Sequence, residues 1–254
     1  MDEKLRQGFP ELWKKYFGAS ELPVVFFYTD QADAGEAGAG SLARCLIANL
    51  GRIRRGESLR FGSETVGCPG GKRYLGYASD IRPGFEFFLS CGIPGKMEGE
   101  RYKKSPELVR QIMTAMPKFE APGRYIVFKR WELLEPGEEP DVVIFFARPD
   151  VLSGLFTLAS FDVAESNGVI APFAAGCGSI VLYPYLERAS ASPRCVIGLF
   201  DPSARPYVGA DELTFAVPFS KFKQMAANMD ESFLITPTWE AIRRRIAGAA
   251  PSRN

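Results

Sequence analysis

Two glycine–cysteine steps hold the residues best suited to chemistry. Cys68 lies in Val66-Gly67-Cys68-Pro69-Gly70-Gly71-Lys72-Arg73, and Cys177 lies in Gly176-Cys177-Gly178-Ser179. A thiolate at Cys68 would be favoured by the amides of a Gly-Gly turn and by the charges of Lys72 and Arg73. The amides of Gly70 and Gly71, with Lys72, could also form an anion-binding nest. The plainer reading of Cys68 is a small residue filling a tight turn. Cys177 has apolar neighbours, Phe173 before it and Ile180-Val181-Leu182 after it, so packing competes with ligation there.

The 254-residue chain contains no histidine. No Ser-His-Asp triad, Cys-His dyad or His-ligated zinc or iron site can be assembled from it. A catalytic base would have to be a carboxylate, Lys, Tyr, Cys or part of a cofactor. Any transition-metal site would be rich in thiolate. No C-x2-C pair occurs, so spacing alone signals neither a zinc ribbon nor a ferredoxin-type cluster. Dispersed thiolates can still hold an iron–sulfur cluster or zinc when the fold gathers them. Of the other cysteines, Cys45 falls on an apolar helical face and reads in isolation as a small hydrophobe. Cys195 sits within an apolar strand and reads as core, and Cys91 fits either role.

A net charge of +1 gives no electrostatic case for nucleic acid or an anionic membrane. No apolar signal-peptide core follows the acidic start, and nothing approaches the roughly 20 apolar residues of a spanning helix. Five cysteines without compact spacing argue against a disulfide framework. The expectation is a cytoplasmic protein with reduced thiols and no membrane or nucleic-acid partner.

Hydrophobic patterning supplies the elements that must position these residues. Helices are expected over 3–17, from a cap at Ser41 with Leu42, Cys45, Leu46, Asn49 and Ile53 on one face, from Ser105 onward, and over 152–161, 220–228 and 238–247. The Ser105 helix has its cap, first-turn proline and first-turn acid in order. Its expected buried face is Leu108, Val109, Ile112, Met113 and Met116. Strands are expected over 22–28, 59–66, 124–131, 141–146, 195–200 and 213–217. This alternation implies an α/β fold, a mixed sheet flanked by helices, in one compact unit over 1–254. A faint recurrence of an apolar run followed by a Gly-Cys step divides it into halves, 20–130 and 140–222, with a helical segment at 223–250. A true duplication would place Cys68 and Cys177 on equivalent turns; chance recurrence is the competing reading.

Three further features were weighed. Gly38-Ala39-Gly40-Ser41-Leu42-Ala43 formally matches a dinucleotide fingerprint, but the preceding strand ends too far away for the tight turn that mechanism needs. The arginines at 52, 54, 55 and 60, and those at 243–245, read as solvated faces. Arg205, on a loop bracketed by Pro202 and Pro206, could grip an anion or pair with Asp201.

The chain resembles the DUF169 family of uncharacterised prokaryotic proteins. The likeness is carried by Leu22-Pro23-Val24-Val25-Phe26, by Cys45 leading to Gly67-Cys68-Pro69-Gly70-Gly71, by Pro140-Asp141-Val142-Val143-Ile144 with Arg148-Pro149, and by Ala175-Gly176-Cys177 with Asp201 to Arg205 and Val217-Pro218. These stretches span about residues 20–222. The resemblance implies no established activity. It does imply an anaerobic setting that suits oxygen-sensitive centres, and it marks Cys45, Cys68 and Cys177 as the matching cysteines, leaving Cys91 and Cys195 outside. The leading expectation is therefore a thiolate metal site, iron–sulfur first and zinc second, on Cys45, Cys68 and Cys177. A small-molecule pocket for an anionic ligand, using Gly70, Gly71, Lys72 and Arg205, would lie beside it. One competing class is a non-enzymatic ligand-binding module with structural cysteines. Another is a thiol enzyme using Cys68, activated by Lys72 or Arg73.

Overall fold

The computed structural model describes residues 1–37, 45–80 and 82–248 of the chain. The dinucleotide-like match at 38–43 and the expected cap at Ser41 lie outside the described residues. In chain order the main elements are α1 (Glu3–Phe17), β1 (Val24–Thr29), β2 (Glu36–Ala37), α2 (Leu46–Arg54), β3 (Leu59–Gly62), α3 (Pro69–Tyr74), α4 (Phe85–Phe88), α5 (Pro106–Ala115) and β4 (Tyr125–Arg130). There follow β5 (Val142–Ala147), α6 (Pro149–Ala159), β6 (Val169–Ile170), α7 (Tyr183–Glu187), β7 (Cys195–Gly198), β8 (Leu213–Pro218), α8 (Phe219–Asn228) and α9 (Pro237–Gly248). A π-helical turn, Gly178–Leu182, runs directly into α7.

The strands form one eight-stranded mixed sheet in the order β2-β3-β4-β1-β5-β8-β7-β6. β1 and β5 pair antiparallel at its centre, with Val25 opposite Val143. Outward from this pair, the two halves follow the same plan. β1–β4 and β5–β8 are antiparallel, as are β4–β3 and β8–β7, whereas β3–β2 and β7–β6 are parallel. α2 connects β2 to β3, and the π turn with α7 connects β6 to β7. By this order Cys177 matches Cys45; Cys68 matches the loop that follows β7.

The central strands are apolar on both faces, the pattern of a sheet covered on each side. Val25 and Phe27 enter one core with α1, α6, α8 and α9, where Phe9, Trp13, Phe17, Phe222 and Trp239 pack. Val24 and Phe26 enter the other core with α2, Tyr74 and Leu75, and Ile180 to Leu182. Cys177 belongs to this second core, and Cys45 packs against it. Cys195 is fully buried in the first, as expected.

Two expectations need correction. The 59–66 run stops pairing at Gly62 because Thr65 turns the chain: its hydroxyl accepts from Gly62 N at 2.8 Å and donates back to Gly62 O. α5 is capped by Ser105 as expected, but Leu108 is 41% exposed, and only Val109 within the helix is buried. α5 packs on the small α4, while Ile112 and the capping Met116 reach the second core, so within the expected stripe only Leu108 is left facing solvent. Among the described residues no helix is long and apolar enough to cross a membrane.

Two helical glycines separate packing from propensity. A Cβ at Gly154 in α6 would fall 2.3 Å from the Trp239 indole and 2.8 Å from the Phe17 ring, both immobile in the core. A Cβ at Gly8 in α1 would meet nothing within 4 Å. Gly154→Ala should therefore lose about 1 to 3 kcal/mol of stability in urea unfolding. Gly8→Ala should gain roughly 0.5 to 1 kcal/mol from the reduced freedom of the unfolded chain.

Candidate functional site

Three cysteines sit at three helix starts. Cys45 is the N-cap of α2 with extended backbone (φ −101°, ψ 123°), not a member of its apolar face as the sequence pattern suggests. Cys68 is the N-cap of α3, the residues after it forming a short helix where an open turn was expected. The Gly71 N–H donates to Cys68 Sγ at 3.4 Å. Cys177 lies in the first helical turn before the π segment. Such π insertions are rare and recur at functional sites.

The glycines flanking Cys177 have steric reasons. A Cβ at Gly176 would lie 2.7 Å from Ile47 Cδ1 of α2 and 2.9 Å from Leu199 Cδ2. A Cβ at Gly178 would lie 2.8 Å from Ala174 and 2.9 Å from the Tyr74 ring of α3. Only glycine at both positions lets α2, α3 and the end of β7 close around Cys177.

Electrostatics reports the same convergence. Cys177 is buried, and burial pushes its thiol well above the ordinary thiol range. The charges of Cys45, Cys68 and Asp201 push it further the same way. Three groups from three segments therefore bear on one sulfur. Cys45 is half-buried and Cys68 is exposed, so the group opens to solvent on the Cys68 side. Tyr74 borders it, its hydroxyl raised to about 12 by burial and hydrogen-bonded to the Ala175 backbone. Arg73 is 4% exposed; its Nη1 donates to Ser79 O at 2.7 Å, and its Nε is buried without a partner among the described residues. It forms no salt bridge among the described residues, so a buried positive charge lies next to the tyrosine that borders Cys177.

The other expected residues fare differently. The Gly71 amide is directed at Cys68's own sulfur, and the Lys72 N–H donates to Cys68 O at 2.9 Å. A Cβ at Gly70 would meet Cys68 Sγ at 3.9 Å, so this glycine lines the cysteine. Lys72 is half-buried and makes no salt bridge among the described residues. Arg205 neither pairs with Asp201 nor offers a free fork. Nη1 donates to Leu199 O (3.4 Å) and Glu212 O (2.6 Å), and Nη2 to Gly209 O (2.8 Å) and Ala210 O (2.9 Å). With all four terminal N–H groups on carbonyls, it braces the loop between β7 and β8. Cys91 is exposed and bonds only within its own turn.

A cleft of about 660 Å³ is lined by Arg60, Tyr77, Arg124 and Tyr125, and a second of about 360 Å³ by Asp162, Arg194 and Lys221. Neither contains Cys45, Cys68, Cys177 or Arg205. Among the described residues no three His, Cys, Asp or Glu side chains stand ready to hold a metal ion.

Asp201 was missed by the sequence reading except as an ion-pair partner. Its Oδ1 accepts from the Ser203 hydroxyl and from Ala204 N at 3.1 Å, closing a tight turn. The signal was present in Asp201-Pro202-Ser203, a sequence suited to such side-chain-capped turns.

The fold defines an α/β protein built on a mixed sheet. The chain belongs to the DUF169 family, described as Uncharacterised ArCR, whose model matches residues 14–228. No curated protein and no solved structure matches it.

Arg205→Lys keeps the charge but loses the planar fork. Stability in urea unfolding should fall by about 1 to 2 kcal/mol, as hydrogen bonds from a charged donor are lost. An unchanged unfolding midpoint would contradict the bracing role.

Proposed function

We propose that Cys45, Cys68 and Cys177 form a thiolate site for a soft metal centre, an iron–sulfur cluster before a single zinc ion. The observation that carries this reading is the placement of three cysteines at three helix starts, with Cys177 buried in the core that Cys45 packs against. Ionising several of these groups together is costly in a buried setting, and a metal centre relieves that cost by supplying positive charge. Arg73, buried without an acidic partner, supplies further positive charge nearby.

The kind of centre follows from spacing. Sulfurs on one zinc ion, at bonds of about 2.3 Å, lie about 4 Å apart, whereas a cluster spreads its thiolates over roughly 6 to 7 Å. The described side chains include no set ready for a single ion. Thiols supplied by separate segments suit the wider sulfur spacing of a cluster better than a single ion. When bound, the cluster would supply electron transfer or a Lewis-acidic iron. The chain would supply the thiolates, the apolar shell of Ile47, Leu199 and Tyr74, and an opening beside Cys68.

A second reading has its own support: Cys68 is exposed and accepts an amide N–H, which suits a reactive thiolate. It requires no metal and no role for Cys45 or Cys177. Anaerobic purification followed by iron and sulfide analysis separates the two. The metal reading expects both elements in the wild-type chain, most of them lost in Cys68→Ser and in Cys177→Ser, and retained in Cys91→Ser. Iron content unaffected by Cys68→Ser and Cys177→Ser would refute it.

A further inference from the structure

Arg60 does not behave as the solvated cation that its place in the 52–60 arginine cluster suggests. Arg52 pairs with Glu57, and Arg54 pairs with Glu21 and Glu212. The Arg60 guanidinium has no ion pair or hydrogen bond among the described residues, and its Nη1 is buried. It lies instead 4.7 Å from the centre of the Tyr125 ring, and the Arg124 guanidinium lies 5.5 Å from the same ring. A guanidinium stacks through its flat face, which leaves its in-plane N–H groups free to take an anion. With Nη1 enclosed, Nε and Nη2 of this half-buried residue are the donors left to the cleft that Arg60 lines.

The strands fix this stack. Tyr125 stands opposite Gly62 in the β3–β4 ladder, and Arg60 lies two residues back on the same face of β3. A Cβ at Gly62 would fall 2.9 Å from Tyr125 Cδ1, so glycine there lets the ring lean across β3 towards Arg60. The segment carrying Arg124 is held from both sides. The Ala121 N–H donates to Gly76 O at 3.0 Å, and a Cβ at Gly76 (φ +80°) would fall 2.6 Å from Ala121 N. On the other side, a Cβ at Gly123 would fall 2.9 Å from Thr29 N. Backbone packed this closely gives the cleft fixed walls, and its volume of about 660 Å³ suits a small molecule.

Charge narrows the ligand. The exposed carboxylates of Asp30, Glu64 and Glu120 line the same cleft, and Asp30 Oδ1 accepts the Arg124 N–H at 2.9 Å. Three carboxylates beside two guanidiniums would repel a polyphosphate or a nucleic-acid strand, whereas one anionic group can still reach the arginines.

We infer that this cleft binds a small molecule through a single phosphate or carboxylate group, held by Arg60 and Arg124 beside Tyr125. The rest of the ligand is neutral or cationic, as the surrounding carboxylates require. The cleft contains none of the cysteines, so this site stands or falls apart from the thiolate reading.

The test titrates the full, isotopically labelled chain with phosphoethanolamine, β-alanine and ethanolamine while backbone amide resonances are followed. The probes share an aminoethyl group and carry a phosphate, a carboxylate and neither, respectively. At least one anionic probe should shift the Gly62, Gly76 and Gly123 amides saturably, the tighter of the two identifying the group, and ethanolamine should not. Arg60→Gln should weaken that probe roughly ten-fold or more through lost charge-assisted hydrogen bonds. Arg124→Gln should weaken it about three-fold, because an exposed charge is screened. Arg55→Gln, which removes an exposed cation of the same cluster outside the cleft, should change nothing. If Arg60→Gln fails to fold, Arg60→Lys decides, since it keeps the charge and loses the fork, and about three-fold weaker binding is expected. The assignment is overturned if neither anionic probe shifts these amides saturably or if ethanolamine shifts them equally. It is also overturned if the folded Arg60 variant binds as tightly as wild type, which would leave Arg60 as a prop for Tyr125.

Discussion

The close approach at Gly176 and Gly178 is the constraint on which the site depends. Three segments far apart in sequence meet at these two residues: α2 through Ile47, α3 through Tyr74, and the end of β7 through Leu199. A methyl group at either position would stand within 3 Å of fixed side chains and push at least one segment away. The cysteine between them is thereby buried by helices whose own first residues are Cys45 and Cys68. Packing against the sheet holds the arrangement, since Ile47, Tyr74, Ile180 and Leu199 all belong to the same apolar layer.

Around this contact the polar groups sort into those that brace and those that remain available. Arg205 braces the β7–β8 loop, and Arg54 ties that loop to the end of α2 by pairing with Glu212 at 2.9 Å and with Glu21 at 2.7 Å. Ser179 braces Leu199. Asp201 Oδ2 and Arg73 Nε are buried without a hydrogen-bond partner among the described residues. Buried polar atoms without partners are few in native proteins. A protein that needed these residues only for packing could replace them with apolar ones at no loss.

The sheet was legible because its strands are short, apolar and β-branched. The runs beginning at Leu22, Asp141 and Leu213 appear as β1, β5 and β8 with edges shifted by a residue or two. β2 and β6, two residues each, carry no periodicity to read. The site was legible in part. A Gly-Cys step announces a crowded turn, but which neighbours crowd it depends on strand order, which local sequence does not encode. Cys45 was assigned to a helix face because apolar spacing continues through it, yet its backbone is extended and it caps the helix instead. Arg205 reads in the sequence as an anion grip or an ion pair with Asp201, but the guanidinium places its terminal N–H groups on four backbone carbonyls.

The most direct test of the account is X-ray absorption at the iron edge of the chain isolated without oxygen. The account predicts a first shell rich in sulfur, together with iron–iron scattering from a cluster. A preparation without iron, or a shell of oxygen and nitrogen alone, would contradict it.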